Sequence, residues 1–312
     1  MVSNVQTSIK GIQLICPYCN RHPFVVYSEK EGAFTCRECG RVYNKWDGRP
    51  CFIDKDIIRL DPYWSQTTEG KRVSRLIKLL KMTYMALKAP RVFPKKKPHF
   101  ELLNVLRQEK DDFMALYIGY NQPFEEDLQK HIIQLEIVPK KYVDIIAPGE
   151  KIPFPDSSFD LVVISGVIEH TQRPFEVVDE SFRVLKYGGR LYISSPWIYP
   201  FHGGDNYRFS HEGLRLLCSR FSKIEIGSLH GPLHSLGIFL QYSFVEYLSF
   251  RRRYLRYALS VIASWLFFPL ILADAMLHNP VNPRFVLDAN IYAIATKEIP
   301  EQGPKESDEG DG

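Results

Sequence analysis

Hydrophobic and polar positions divide the chain into regions of different period. From Phe113 onward, short apolar runs alternate with stretches of helical spacing, which predicts a mainly parallel sheet with helices on both faces. The predicted strands cover 114–118, 132–137, 143–146, 160–165, 190–195, 223–227 and 285–296. Seven such strands imply a doubly wound α/β sheet, whose ligand sits at the strand carboxyl ends. Within 152–196 a polar turn feeds a buried strand and a loop ends at Glu169-His170. A helix then runs to Lys186, where Gly188-Gly189 is expected to cap it.

Before this region the period is helical. Val73, Leu76, Ile77, Leu80, Tyr84 and Leu87 form one stripe, with Lys71, Arg72, Arg75, Lys78 and Lys88 largely off it. An amphipathic helix ended by Pro90 is expected, followed by a proline-punctuated linker. Residues 231–284, between the last two strands, are apolar and aromatic. They predict a helical hairpin that lids the site or forms an interface. Its uncharged run, 257–273, is shorter than the roughly 20 residues a spanning helix needs.

Composition narrows the class. The 312 residues are 45% hydrophobic and 24% charged, with six cysteines, which excludes a disordered chain, a collagen and a secreted disulfide scaffold. The net charge of +4 conceals an uneven distribution, +9 over residues 1–112 and −5 over the remainder. Ten Lys or Arg and no acid fall within 71–97. Such a run either solvates a helix packed on the main domain, or meets an anionic membrane surface or a nucleic-acid backbone. Arg251, Arg252, Arg253 and Arg256 precede the apolar run and also suit a membrane surface. From Glu298 the chain holds six acids and one lysine, an acidic tail expected to be disordered. No basic segment followed by an apolar one opens the chain, so a cytoplasmic location is expected, with peripheral association at the inner membrane face as the alternative.

Four cysteines are paired as Cys16-Pro-Tyr-Cys19 and Cys36-Arg-Glu-Cys39, with 16 residues between the pairs. Four thiolates at this spacing suit tetrahedral Zn²⁺, and a closed site of this kind is structural. Cys51 and Cys218 stand alone and read as small apolar residues. The text from ICPYC to DGRPC resembles short zinc-ribbon proteins that activate methyltransferases. Tyr43, Asp47, Gly48 and Pro50 match their pattern, and Asn44 stands where it has a proline. The likeness implies a small ribbon that docks on a catalytic domain.

The central block, IPFPDSSFDLVVISGVIEHTQRPFEVVDESFRVLKYGGRLYISSP, resembles the class I S-adenosylmethionine-dependent methyltransferases, in the group acting on small molecules and glycans. The resemblance spans about 113–297 and implies a Rossmann-like methyltransferase sheet. It assigns S-adenosylmethionine to Tyr117, Gly119, Asn121, Glu136, Gly149, Glu150 and Ser165. Tyr117 stands where the family carries an acid, Asn121 replaces a glycine, and Pro148 replaces an adenine-contacting Asp. Glu136 aligns with the acid that binds the ribose hydroxyls. His170 or His202 is the candidate base, and Asp205, Tyr207 and Arg208 are expected to orient the acceptor.

The expected organisation is therefore a zinc ribbon (1–55), a basic helical connector (56–112), the methyltransferase domain (113–297) and the acidic tail (298–312). The expected reaction is methylation of a hydroxyl or similar nucleophile on a sugar, lipid-linked glycan or other small molecule. RNA or protein as acceptor, and a non-catalytic scaffold, are the alternatives these residues allow.

Overall fold

The computed structural model describes residues 8–19, 25–28, 32–53, 82–90, 98–120, 122–201, 204–250, 252–278 and 287–298. Asn121, His202, most of the basic connector and the tail from 299 lie outside the described residues, as do positions 285 and 286 of the last predicted strand.

The N-terminal module begins with a hairpin, β1 (Ser8–Ile9) and β2 (Ile12–Gln13), turned at Lys10 and Gly11, both at positive φ. An antiparallel sheet follows in the order β3 (Val25–Ser28), β4 (Ala33–Cys36), β5 (Val42–Trp46), β6 (Arg49–Pro50). Leu14, Phe34, Tyr43 and Phe52 are buried, in one apolar cluster with Ile133, Leu135 and Ile145 of the main sheet. The module and the domain thus share a core.

Helix α1 (Pro98–Glu109) leads into β7 (Ala115–Ile118), and α2 (Glu126–Gln129) into β8 (Ile132–Glu136) and β9 (Ile145–Ile146). After β10 (Phe159–Ser165) a 3₁₀ turn, Ile168–His170, precedes α3 (Pro174–Val184) and β11 (Leu185–Pro196). Then come α4 (His211–Leu217), β12 (Lys223–His230), the helices α5 (Pro232–Leu248), α6 (Arg253–Leu266) and α7 (Phe268–Leu277), and β13 (Asn290–Thr296).

The seven strands are ordered β12-β13-β11-β10-β7-β8-β9. β7 to β11 pair in parallel, and β13 runs antiparallel to both of its neighbours. This is a mixed, mostly parallel α/β sheet of Rossmann-like type. Buried Asp160 fastens its lower edge, because its carboxylate accepts bonds from Lys110 Nζ (2.7 Å), Lys186 Nζ (2.8 Å) and Met114 N (3.0 Å). Burial alone would raise its pKa, but these donors outweigh burial and hold it below the usual carboxylate range.

Two local expectations are corrected. Helix α3 ends at Val184 instead of Lys186, and Gly188 and Gly189 lie inside β11. No glycine cap is needed, because other donors reach the final carbonyls: Ser157 N to Arg183 O, Ser158 N to Val184 O, and Lys297 Nζ to Phe182 O and Leu185 O. The insertion holds three helices, not a hairpin, since Pro269 falls in the first turn of α7 and the chain bends by 43° between 254–266 and 268–277. Among the described residues no single helix is long and apolar enough to cross a membrane.

Only 82–89 of the predicted basic helix is described, and it is helical over 82–87. It leans on the insertion, where Trp265 Nε1 donates to Leu87 O at 2.8 Å and Ala89 N donates to Ser264 Oγ at 2.9 Å.

Candidate active site and cysteine cluster

The carboxyl ends of β7, β8 and β10 open into a cavity of ≈ 470 Å³. That volume lies within the usual range of small-molecule sites. Gly119 leaves β7 at φ +76°, and a Cβ placed on it would stand 1.9 Å from Val167 Cγ2. Only glycine lets this loop close against the loop after β10. On the far wall, a Cβ on Gly149 would lie 3.2 Å from Val177 Cγ1, at the limit of contact.

Glu136 closes the end of β8 and lines the cavity. Its Oε1 accepts from Ile137 N at 3.0 Å and its Oε2 accepts from Lys140 Nζ. The carboxylate is therefore held in place and keeps lone pairs for a pair of hydroxyls. Glu150 and Glu176 line the cavity together with Lys140, Lys151 and Arg173, so groups of both signs face a ligand.

His170 stands on the opposite rim, at the end of the 3₁₀ turn, and lines the same cavity. Its Nδ1 lies 3.3 Å from Asp205 Oδ1 and 3.2 Å from Gly204 O. Asp205 is buried behind the ring and paired with Arg208. The loop carrying it is pinned to the turn, because Asn206 N and Tyr207 N both donate to Glu169 O, at 2.7 and 3.1 Å. With Nδ1–H donating to Gly204 O, Nε2 is the unprotonated nitrogen of the neutral ring.

Glu169 is fully buried, with Oε1 3.9 Å from His170 Nε2, beyond hydrogen-bonding distance. Burial raises its carboxyl above the ordinary range. Sequence reasoning passed over this acid as one half of a loop's end.

The cavity therefore gathers Gly119, Glu136, Gly149, Glu150 and His170 from the predicted set. Five other residues are placed elsewhere, among them Asp205, which lies behind the His170 ring and not on the cavity wall. Tyr117 is fully buried on the other sheet face, among Tyr120 and Phe124 with ring centroids at 5.2 and 4.9 Å, because strand alternation turns it away from Ile118, which does line the cavity. Ser165 Oγ is spent on Ser194 Oγ at 3.0 Å, and Gly166 and Val167 take the wall. Tyr207 donates its hydroxyl to Gln172 O at 3.1 Å, and Arg208 donates to Pro200 O at 3.3 Å, so both brace the loop outside the cavity. None of the described residues of the insertion lines it.

The four cysteines converge. Cys16 and Cys39 Sγ are 3.7 Å apart, Cys19 and Cys36 Sγ are 3.6 Å apart, and all four lie within 4.8 Å of one another. A tetrahedral ion with four bonds of about 2.3 Å sets sulfurs about 3.8 Å apart, so the donor set fits Zn²⁺ in both chemistry and spacing. Tyr43 Oη lies 3.0 Å from Cys16 Sγ, a neighbour of the kind that orients a ligand sulfur.

The sheet order, the glycine-closed cavity and its histidine rim together agree with one comparison. Residues 124–193 match the methyltransferase-domain family. That stretch runs from α2 through most of β11 and includes Glu136, Gly149 and His170. An uncharacterized protein of Methanocaldococcus jannaschii is 45% identical over 49 residues, 16% of this chain and 24% of that one. An uncharacterized methyltransferase of Mycobacterium leprae is 33% identical over 88 residues, 28% of this chain and 32% of that one. The matched segments thus span about a quarter to a third of these relatives' length. Among solved structures, phosphoethanolamine N-methyltransferase 2 of Haemonchus contortus superposes with a TM-score of 0.41 at 12% identity, covering 80% of this chain and 62% of that one.

Proposed function

We propose that the chain is an S-adenosylmethionine-dependent methyltransferase that acts on a hydroxyl or similar nucleophile of a sugar, lipid-linked glycan or other small molecule. The observation that carries this reading is the single cavity that joins Gly119, Glu136 and Gly149 to a histidine backed by Asp205. The methyltransferase-domain match over the same walls supports it.

Gly119 and Gly149 give the backbone close approach, Glu136 accepts the ribose hydroxyls, and His170 Nε2 takes the proton of the acceptor. Asp205 holds the ring and balances the imidazolium so formed. When bound, S-adenosylmethionine supplies a methyl group on a sulfonium, open to in-line displacement. The protein's part is alignment of the acceptor with that methyl group. The four-cysteine cluster holds Zn²⁺ as a structural ion, supported by the sulfur spacing.

Calorimetric titration of the full chain with S-adenosylmethionine and S-adenosylhomocysteine tests the reading. Saturable binding of both is expected, and no binding up to millimolar ligand overturns it.

A cytoplasmic protein working on lipid-linked acceptors needs a place to meet them, and the insertion suits an anionic bilayer surface. Tyr247 and Phe250, at the end of α5, are 80% and 76% exposed, and Met276 and Leu277, at the end of α7, are 74% and 76% exposed, so the insertion presents large apolar side chains at both ends of its helices. The only acid in α6 and α7 is Asp274, which is buried and accepts from Gly231 N and Leu233 N. Arg252 and Arg256 follow Phe250 closely in the chain, Arg256 paired with Glu246, and cations of this kind suit a helix lying in a headgroup layer. The full chain is expected to co-sediment with vesicles containing phosphatidylglycerol and to be released by Phe250→Asp with Met276→Asp. Absence of binding, or a concentration-dependent dimer that these substitutions abolish, overturns it.

A further inference from the structure

The cysteine module reaches further into the site than a docked accessory. It lies along the free edge of the sheet, where Cys51 forms a parallel bridge with Ile146 and Phe52 N donates to Ile146 O at 2.8 Å. Arg49 Nε donates to Val143 O at 2.7 Å, and Lys10 Nζ pairs with Asp144 at 2.9 Å. Ile15 N donates to Pro153 O at 3.1 Å, just past the 147–151 wall of the cavity. Three residues after Ile15, Tyr18 lines that cavity.

The position of this ring is set by the module. Tyr18 lies between the two cysteines of the first knuckle. The Arg41 guanidinium sits 4.0 Å from its centroid, and the Tyr43 ring stacks beside it at 6.5 Å with an interplanar angle of 20°. Tyr43 in turn contacts Cys16 Sγ, so the aromatic pair and the sulfur cluster form one unit. Because the module runs along β9, Tyr18 enters from the side of Ile137, Lys140 and Pro148, across the cavity from His170.

We propose that Tyr18 is a cofactor-binding residue: its ring stacks on the adenine of S-adenosylmethionine, and metal in the four-cysteine cluster thereby controls affinity for the cofactor. The inference rests on the methyltransferase reading above. Arg41 covers one face of the Tyr18 ring and the purine takes the other, and an aromatic ring at one end of the cavity with His170 at the other sets the ligand's direction. Truncating an aromatic side chain that stacks on a base weakens binding by about tenfold or more. The module therefore completes the site instead of only docking beside it.

The test is calorimetric titration of the full chain with S-adenosylhomocysteine. Tyr18→Leu, which keeps apolar volume, is expected to weaken binding about tenfold, within the range that stacking supplies. Tyr18→Phe and Tyr18→Trp are expected to stay within about threefold of the unmodified chain, and the Trp variant's fluorescence is expected to change on addition of ligand. Removing the metal with a chelator under reducing conditions is expected to weaken binding at least as much as Tyr18→Leu, while far-ultraviolet circular dichroism retains the main sheet. Equal affinity of Tyr18→Leu and the unmodified chain overturns the stacking role. Unchanged affinity after metal loss overturns the coupling. Failure of the unmodified chain to bind strikes the methyltransferase reading itself, so the two failures are distinct.

Discussion

Asp205 Oδ1 lies 3.3 Å from His170 Nδ1, although the two residues are 35 positions apart and sit on loops after different strands. In the proposed reaction this neighbour and the Gly204 carbonyl orient the histidine as the base. His170→Asn is therefore expected to lower transfer of labelled methyl from S-adenosylmethionine into cell-extract acceptors by about 10²-fold or more. Affinity for S-adenosylhomocysteine is expected to stay within about threefold, since the histidine acts on the acceptor. Asp205→Asn is expected to cost less, about tenfold. Equal transfer by His170→Asn and the unmodified chain removes the histidine from the chemistry.

Gly119 carries a second prediction. Alanine there meets both positive φ and a Cβ 1.9 Å from Val167 Cγ2. The left-handed backbone alone costs an L residue about 1–2 kcal/mol, and the overlap displaces a cavity wall. Gly119→Ala is expected to lose at least about 2 kcal/mol in urea denaturation and to bind S-adenosylhomocysteine poorly, whereas Gly188→Ala, at φ +80° with open space around it, is expected to show only the stability loss.

Metal analysis of the purified chain is expected to give one zinc per molecule, lost in Cys16→Ser with Cys36→Ser. Because Leu14, Phe34 and Phe52 share a core with the main sheet, the loss is expected to lower the melting temperature of the whole protein and not of a separate unit. Two independent melting transitions would contradict the shared core.

Stability is also expected to depend on pH through His230. Burial first, then the charges of His234 and His278, push its pKa from 6.5 down to about 3. Asp274 and Asn290 face the same cluster, with Asn290 Nδ2 3.3 Å from His230 Nδ1. Below about pH 6.5 the unfolded chain takes up a proton that the folded site refuses, so unfolding is favoured as pH falls from there toward 3. Denaturant titrations at pH 7.5 and 5.0 are expected to show the decline, with a limiting slope of about 1.4 kcal/mol per pH unit from this group. His230→Gln, which cannot titrate, is expected to flatten it.

The alternation of apolar runs and helical stretches was enough to place all seven strands of the sheet, because each buried strand writes its own local pattern. Edges were less legible. The end of α3 depended on donors from Ser157, Ser158 and Lys297, of which Lys297 is more than a hundred positions away. Likewise, the bend at Phe267 divided what read as one apolar run.

Spacing alone brought Cys16, Cys19, Cys36 and Cys39 together, since a knuckle is a local structure and two of them close one tetrahedron. The family resemblance marked Gly119, Glu136 and His170, at strand ends where an α/β sheet opens its site. Tertiary structure decided what these residues face. It turned Tyr117 to the opposite side of the sheet, set Asp205 behind His170, and left Tyr207 and Arg208 as loop braces. It also carried Tyr18 from a cysteine knuckle to the wall of a cavity built by β7, β8 and β10. Periodicity records which side of its own element a residue occupies. Which other element covers that side is settled only when the sheet edge, the knuckle and the loops pack together.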